Sequence, residues 1–203
     1  MKNKIGKIGS IINIISVLAF AICMLIRYDF GSYFVCMFLA LSFIMMIGSF
    51  ESECNEENKV AGKIASMLAS IYATFILIVY FTQCTTVMNE TLNSQATRIL
   101  NYKYMGLLFN LDLLGYGIMA LSTFFIGLTI TPNNKIDKWL KILLIIHGIF
   151  FMSCFIMPMT GMFVDSNGST SINGVIALEL WCVYFLPIGI LSYLHFKNNK
   201  SLI

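Results

Sequence analysis

Two carboxylates stand inside long apolar stretches of the sequence, where a charge needs a reason to be. Asp112 and Glu179 each lie about six residues into a hydrophobic segment. At 1.5 Å of helical rise per residue, both sit roughly 9 Å from the same membrane boundary. A charged side chain at mid-bilayer costs on the order of 2.5–3.5 kcal/mol on insertion scales, and less near an interface. Such groups therefore face a bundle interior, a water-filled cavity or a partner. Tyr116 follows Asp112 by four residues and shares its helical face, and Cys182 follows Glu179 by three. At a similar depth a third segment carries Tyr80 and Gln83 on one face. Depth and spacing predict one outward-facing polar pocket lined by Tyr80, Gln83, Asp112, Tyr116 and Glu179, suited to a cation, an amine or a proton-coupled ligand. The alternative is two separate residues, with Asp112 touching headgroup water and Glu179 a buried neutral hydrogen-bond donor.

His147 enters its segment from the opposite side, about eight residues or roughly 12 Å deep. A vertical gap of about 9 Å then separates it from the carboxylates in a 30 Å core. That distance rules out a direct dyad and leaves a relay through water or Tyr184, or a histidine bonded to a neighbouring helix. The six cysteines, Cys23, Cys36, Cys54, Cys84, Cys154 and Cys182, form no CxxC pair, and the chain has two histidines. They read as small apolar packers rather than metal ligands, so no metal is expected. The sequence contains no HExxH, no GxSxG and no phosphate-binding glycine loop. No cofactor is expected, and an enzyme is the less favoured class.

The elements that must position these residues are membrane spans. Hydrophobic residues make up 58% of the chain and charged ones 11%, against roughly 25% charged in a soluble domain, too few to coat a globule of this size. Six apolar segments, near 8–26, 31–50, 61–84, 106–130, 139–161 and 173–195, each have about the length that crosses a bilayer. No segment alternates with the period of a barrel strand, and lipid leaves no other way to pair a backbone than a helix. The predicted fold is all-α, a polytopic bundle of six transmembrane helices forming a single domain over 1–203. The first segment is not a cleaved signal: it is too long, and Arg27-Tyr28-Asp29 follows it rather than a small-residue site.

Lysine and arginine set the orientation. With the N-terminus inside, the inner set is Lys2, Lys4, Lys7, Lys59, Lys63, Lys135, Lys138, Lys141, Lys197 and Lys200, and the outer set is Arg27, Arg98 and Lys103. This bias predicts a multi-pass plasma-membrane protein with both termini cytoplasmic. The net charge of +3 follows from the same segment-end residues and implies no nucleic-acid partner. The acidic stretch from Glu51 to Glu57 reads as a solvated connector. Of the outer loops, 85–105 is the longest, and its Thr91–Tyr104 portion is either a weakly amphipathic surface helix or a loop with one helical turn. Residues 162–172 read as a polar turn. The sequons Asn89-Glu90-Thr91 and Asn167-Gly168-Ser169 matter only in a eukaryotic secretory pathway.

Ala61, Ala65, Ala69 and Ala73 recur every fourth residue along the third span. Small residues at that spacing let two helix backbones approach closely, so they mark a helix-packing seam within the bundle or between subunits. Pro187, in the middle of the sixth span, removes one helical hydrogen bond and predicts a bend.

Tyr80-Phe81-Thr82-Gln83 and Leu111-Asp112-Leu113-Leu114-Gly115-Tyr116 give the chain a loose family character. It resembles small, uncharacterised six-span membrane proteins of low-GC Gram-positive bacteria. That resemblance implies a bacterial plasma membrane and no particular activity; the richness in Ile, Asn, Phe, Met and Lys also fits an AT-rich genome. In span number and length the chain is also similar to the substrate-binding subunits of energy-coupling vitamin importers, but Ala19-Phe20-Ala21 does not match their AxxxA docking pattern.

Three functional classes remain open. The first is binding or transport of a small molecule, lipid headgroup or cation. The second is an accessory or immunity-type subunit packing against itself or a membrane partner, with the lipid bilayer as common surroundings. The third is an intramembrane enzyme using Asp112 and Glu179.

Overall fold

The computed structural model describes residues 2–89, 91–160 and 172–198. The expected polar turn around Asp165–Ser169, with its sequon, lies outside them, as does Glu90 of the other sequon. Among the described residues eight α-helices run in order: α1 (Lys2–Leu25), α2 (Asp29–Glu51), α3 (Lys59–Thr82), α4 (Ser94–Leu100), α5 (Leu107–Thr129), α6 (Lys135–His147), α7 (Phe150–Met159) and α8 (Ile172–Asn198). A π-helical turn, Gln83–Val87, extends α3, and a 3-10 turn, Tyr102–Tyr104, follows α4. The described residues contain no strand.

Six helices are long and apolar enough to cross a membrane: Asn3–Leu25, Asp29–Glu51, Lys59–Val87, Leu107–Thr129, Lys135–Met159 and Val175–Asn198. The chain is an all-α, multi-pass integral membrane protein. The boundaries fall within a few residues of those read from hydropathy, the largest differences being earlier starts of the first and fifth spans, at Asn3 and Lys135.

The spans form a closed ring. α1 packs on α2, α2 on α3, α3 on α5, α5 on α6 and α7, α6 on α8, and α8 returns to α1. An aromatic centre fills it: Phe43 of α2 meets Tyr72 of α3 edge-on, Tyr72 meets Tyr116 of α5, and Trp181 of α8 stacks on Phe185. Without a hydrophobic drive between helices in lipid, close packing and interhelical hydrogen bonds must hold such a ring. The alanine seam supplies one such contact inside the chain. Ala65, Ala69 and Ala73 are buried, and the Ser122 hydroxyl of α5 donates 2.7 Å to the Ala65 carbonyl. Ala61, at the end of the stripe, is only partly buried.

The break in the fifth span falls at Gly148, ahead of Pro158. A Cβ on Gly148 would lie 2.8 Å from the Phe124 Cβ of α5, so the chain can pass there only without a side chain. The amides of residues 148, 149, 151 and 152 bond three residues back, tightening the chain between α6 and α7. Pro187, by contrast, lies within one continuous helix.

Candidate functional site

The two ends of the ring differ. One, here the lid end, carries α4 and its 3-10 turn. The other, the terminal end, carries the start of α1, the α2–α3 and α5–α6 connections and the end of α8.

The lid folds for local reasons. Asn93 caps α4, its side chain accepting from the Ala96 amide, and Asn101 in the same way accepts from the Lys103 amide. Met105 then takes the left-handed conformation (φ 52°), and Gly106 passes so close that a Cβ would meet the Arg98 carbonyl at 2.6 Å. This turn lays α4 over the start of α5. The lid buries no residue of its own in α4. Gln83 at the end of α3 holds it down: Nε2 donates 2.8 Å to the Leu100 carbonyl, and Oε1 accepts from the Tyr102 amide at 3.0 Å. An exposed ion pair between Lys103 and Asp29 of α2 adds a second tether, with 2.6 Å between Nζ and Oδ2. The Thr91–Tyr104 segment is therefore two turns of helix and a 3-10 turn, stapled to the bundle.

Under the lid lies Asp112. It is 3% exposed, and its Oδ2 accepts a 3.0 Å hydrogen bond from the Tyr102 hydroxyl. Its Oδ1 is buried without a hydrogen bond of good geometry, and the Tyr80 hydroxyl is a second donor beside the carboxyl. Tyrosine rings from three elements surround it. Tyr33 of α2 stacks on Tyr80 of α3 at 5.6 Å between centroids, and Tyr102 lies 5.9 Å from Tyr33 and 6.3 Å from Tyr80. Deeper in, the Tyr116 hydroxyl donates to the Cys36 sulfur at 3.7 Å, and the Tyr116 ring meets Trp181 edge-on. Burial first, and the Asp112 carboxyl second, push the Tyr102 phenol well above its ordinary range.

The structure thus gathers Tyr80, Gln83, Asp112 and Tyr116, but in a covered site rather than an outward-opening pocket. The lid closes it, and Gln83 serves the lid instead of facing a solvent cavity. Glu179 makes no direct contact of this kind with Asp112: α8 packs mainly on α1 and α6, and among the described residues no hydrogen bond or ion pair joins the two acids. The Glu179 Oε1 is also buried without a partner. α5 and α8 do meet one level deeper, where the Tyr116 ring lies 5.4 Å from Trp181.

His147 and Tyr184 are committed elsewhere. The Trp181 indole N–H can only donate, and it donates to His147 Nε2 at 3.1 Å. His147 therefore carries its proton on Nδ1, which lies 2.8 Å from the Thr123 hydroxyl oxygen, while that hydroxyl donates to the Ala120 carbonyl. Tyr184 stacks on the His147 ring and donates to the Leu143 carbonyl at 2.7 Å. Every polar atom of the imidazole is used in packing, which removes the geometric basis for a proton relay.

Sequence reasoning missed two groupings. The first is the contribution of Tyr33, Cys36, Tyr102 and Trp181 to the Asp112 site. The second is a buried cluster at the terminal end. His195 of α8 places Nδ1 2.7 Å from Asp137 Oδ1 and Nε2 2.9 Å from Glu53 Oε2. Asp137 is also held by Asn134, which caps α6 reciprocally: the Asp137 amide donates to Asn134 Oδ1 and Asn134 Nδ2 donates to Asp137 Oδ2. Glu53 is therefore part of a clamp joining the α2–α3 connection, α6 and α8, which corrects the reading of 51–57 as a purely solvated connector. The Asn134-x-x-Asp137 spacing was a visible signal; the approach of His195 was not. No group of three His, Cys, Asp or Glu suited to a metal ion occurs among the described residues.

No family model matches the chain, and no curated protein or solved structure matches it.

Proposed function

We propose that the protein binds a small molecule, lipid headgroup or cation at the Asp112 site and admits it by movement of the α4 lid. One observation carries the reading: a carboxylate in the membrane interior keeps one oxygen buried, without a hydrogen bond of good geometry, beneath a cover fastened by a few polar contacts. An unsatisfied buried polar atom is costly, and in a native protein it asks for an explanation such as a ligand. Small-molecule sites of this kind combine an apolar, aromatic lining with a few convergent polar groups. A transport role extends the same reading, with the lid as outer gate.

The two other classes have less support. The intramembrane-enzyme reading needs Asp112 and Glu179 to act together, and no bond joins them. The accessory-subunit reading drew on the alanine seam, and α5 of the same chain now fills that seam.

The lid is further proposed to face outwards from a bacterial plasma membrane, with both termini cytoplasmic. The support is the ten-to-three lysine and arginine bias. Asn55→Cys and Gln95→Cys, each on a cysteine-free background, test this directly. Outside labelling of residue 95, with residue 55 labelled only after permeabilisation, is expected; the reverse would invert the topology. The binding reading is tested by a thermal-shift screen of small metabolites and lipid headgroups against wild type and Asp112→Asn in nanodiscs. Ligands that stabilise wild type alone support it. A screen in which every stabilising compound acts equally on both proteins would remove Asp112 from any binding role.

A further inference from the structure

We infer that the Asp112 site takes an organic cation, an amine or quaternary ammonium, with the tyrosine faces as its walls. This rests on the binding reading above and narrows its ligand class.

Charge comes first. Among the described residues, no lysine, arginine or histidine pairs with Asp112: Lys103 pairs with Asp29, Lys59 with Glu56, and His195 with Glu53 and Asp137. His147 is held by Thr123 and Trp181. If Asp112 is ionised, nothing within the described residues supplies its counter-ion, and a positive ligand would.

The walls discriminate between cations. A bound calcium or magnesium ion needs about six oxygen ligands. Asp112 lies within regular α5 and Tyr80 within regular α3, so the local backbone carbonyls are spent on their own helices. The surroundings are instead rings: Tyr33, Tyr80 and Tyr102, with Tyr116 and Trp181 behind them. The negative faces of such rings attract an ammonium group and tolerate its methyl or methylene shell, which an ion seeking oxygen ligands would not supply.

The lid explains how the site is both closed and bindable. The Tyr102 hydroxyl donates to Asp112 Oδ2, the contact that an ammonium N–H or a polarised N-methyl group would make. Tyr102 is part of the lid. Lifting the lid removes this hydrogen bond and one of three clustered rings together, leaving the ring surfaces of Tyr33 and Tyr80 that Tyr102 covered, and the Asp112 carboxyl, for the ligand. Tyr102 acts as a stand-in for the cation when the site is closed.

Three probes of nearly one shape separate charge from size: choline, its neutral carbon isostere 3,3-dimethylbutan-1-ol, and the anion 3,3-dimethylbutanoate. Binding to the full-length protein in nanodiscs is measured by calorimetry. Choline is expected to bind at least about tenfold more tightly than the alcohol, with the anion weakest, and Asp112→Asn should abolish the preference. Tyr80→Phe keeps the ring face and should retain choline; Tyr80→Leu should weaken it about tenfold, in the range of a desolvated cation–π contact. The choline-to-alcohol ratio in the wild type needs no variant to fold. A ratio near one overturns the cation assignment. If the alcohol or the anion binds as tightly and still depends on Asp112, the lidded site stands and only its ligand class is wrong. If none of the three binds in an Asp112-dependent way, the assignment fails, and the lidded site is judged by the separate metabolite screen.

Discussion

Replacing Gln83 with leucine should free the lid while leaving the bundle intact. Gln83 is 4% exposed and makes two hydrogen bonds to lid backbone, at 2.8 and 3.0 Å. Leucine has similar bulk and preserves the packing around α3, but it removes both bonds. A neutral hydrogen bond contributes about 1 kcal/mol net, so the loss is about 2 kcal/mol. At 1.4 kcal/mol per factor of ten, the open population rises about 30-fold. The Tyr102–Asp112 hydrogen bond and the exposed Lys103–Asp29 pair remain, so the lid should still be mostly closed. Hydrogen exchange reads the change amide by amide. The amides of Thr97, Asn101, Tyr104 and Met105 should exchange about 30-fold faster, and that of Tyr102, whose acceptor is deleted, faster still, while those of α5 below Asp112 keep their wild-type rates. Lid exchange within about threefold of wild type would show that these bonds contribute less than their usual net worth and do not fasten the lid. A uniform rise across α3 and α5 would show that Gln83 supports the bundle instead.

Ala69→Leu should lower thermal stability in detergent, by about 1–3 kcal/mol from overpacking of the α3–α5 seam; an unchanged melting temperature would place the stripe towards lipid. Thr123→Val strands the His147 Nδ1 proton and should cost about 1–3 kcal/mol, whereas no loss would mean that the imidazole does not use that contact. Lid closure should also weaken in alkali. The closed state holds the Tyr102 proton above its ordinary range near 10, so closure keeps its full strength below about pH 10, and weakens above it as the open state ionises first. The phenolate absorbance difference between wild type and Tyr102→Phe reads this, and a Tyr102 that titrates with the exposed tyrosines would contradict it.

The spans were legible because bilayer thickness imposes a length on apolar runs. The alanine stripe was legible because close backbone approach demands small residues at a fixed spacing. What hydropathy does not encode is the rotation and neighbour order of helices that are apolar on most sides. Asp112 and Glu179 match in depth along the sequence, but which way each faces depends on α5 packing on α3, α6 and α7 and on α8 packing on α1 and α6. Tyr80, Gln83, Asp112 and Tyr116 come together because α3 and α5 adjoin along the seam. Tyr102 could not be assigned from periodicity, since its position depends on the left-handed Met105 and the close passage at Gly106. His195, Glu53 and Asp137 are far apart in sequence, and the closure of α8 onto α6 brings them together. Span five tightens at Gly148, where Phe124 of α5 leaves no room for a side chain, a tertiary contact that no local pattern announces.

Cys36 offers the most direct test of a ligand site reached through the lid. It is fully buried beside Tyr116 and makes no disulfide. With Cys36 as the sole cysteine in proteoliposomes, its modification by a trimethylammonium-ethyl methanethiosulfonate can be timed by mass spectrometry against the sulfonatoethyl analogue. The account predicts that Cys36 reacts, that the cationic reagent is the faster, and that Gln83→Leu accelerates both. Rates that ignore Gln83→Leu, or an anionic reagent that reacts as fast as the cationic one, would contradict a lidded cation site at Asp112.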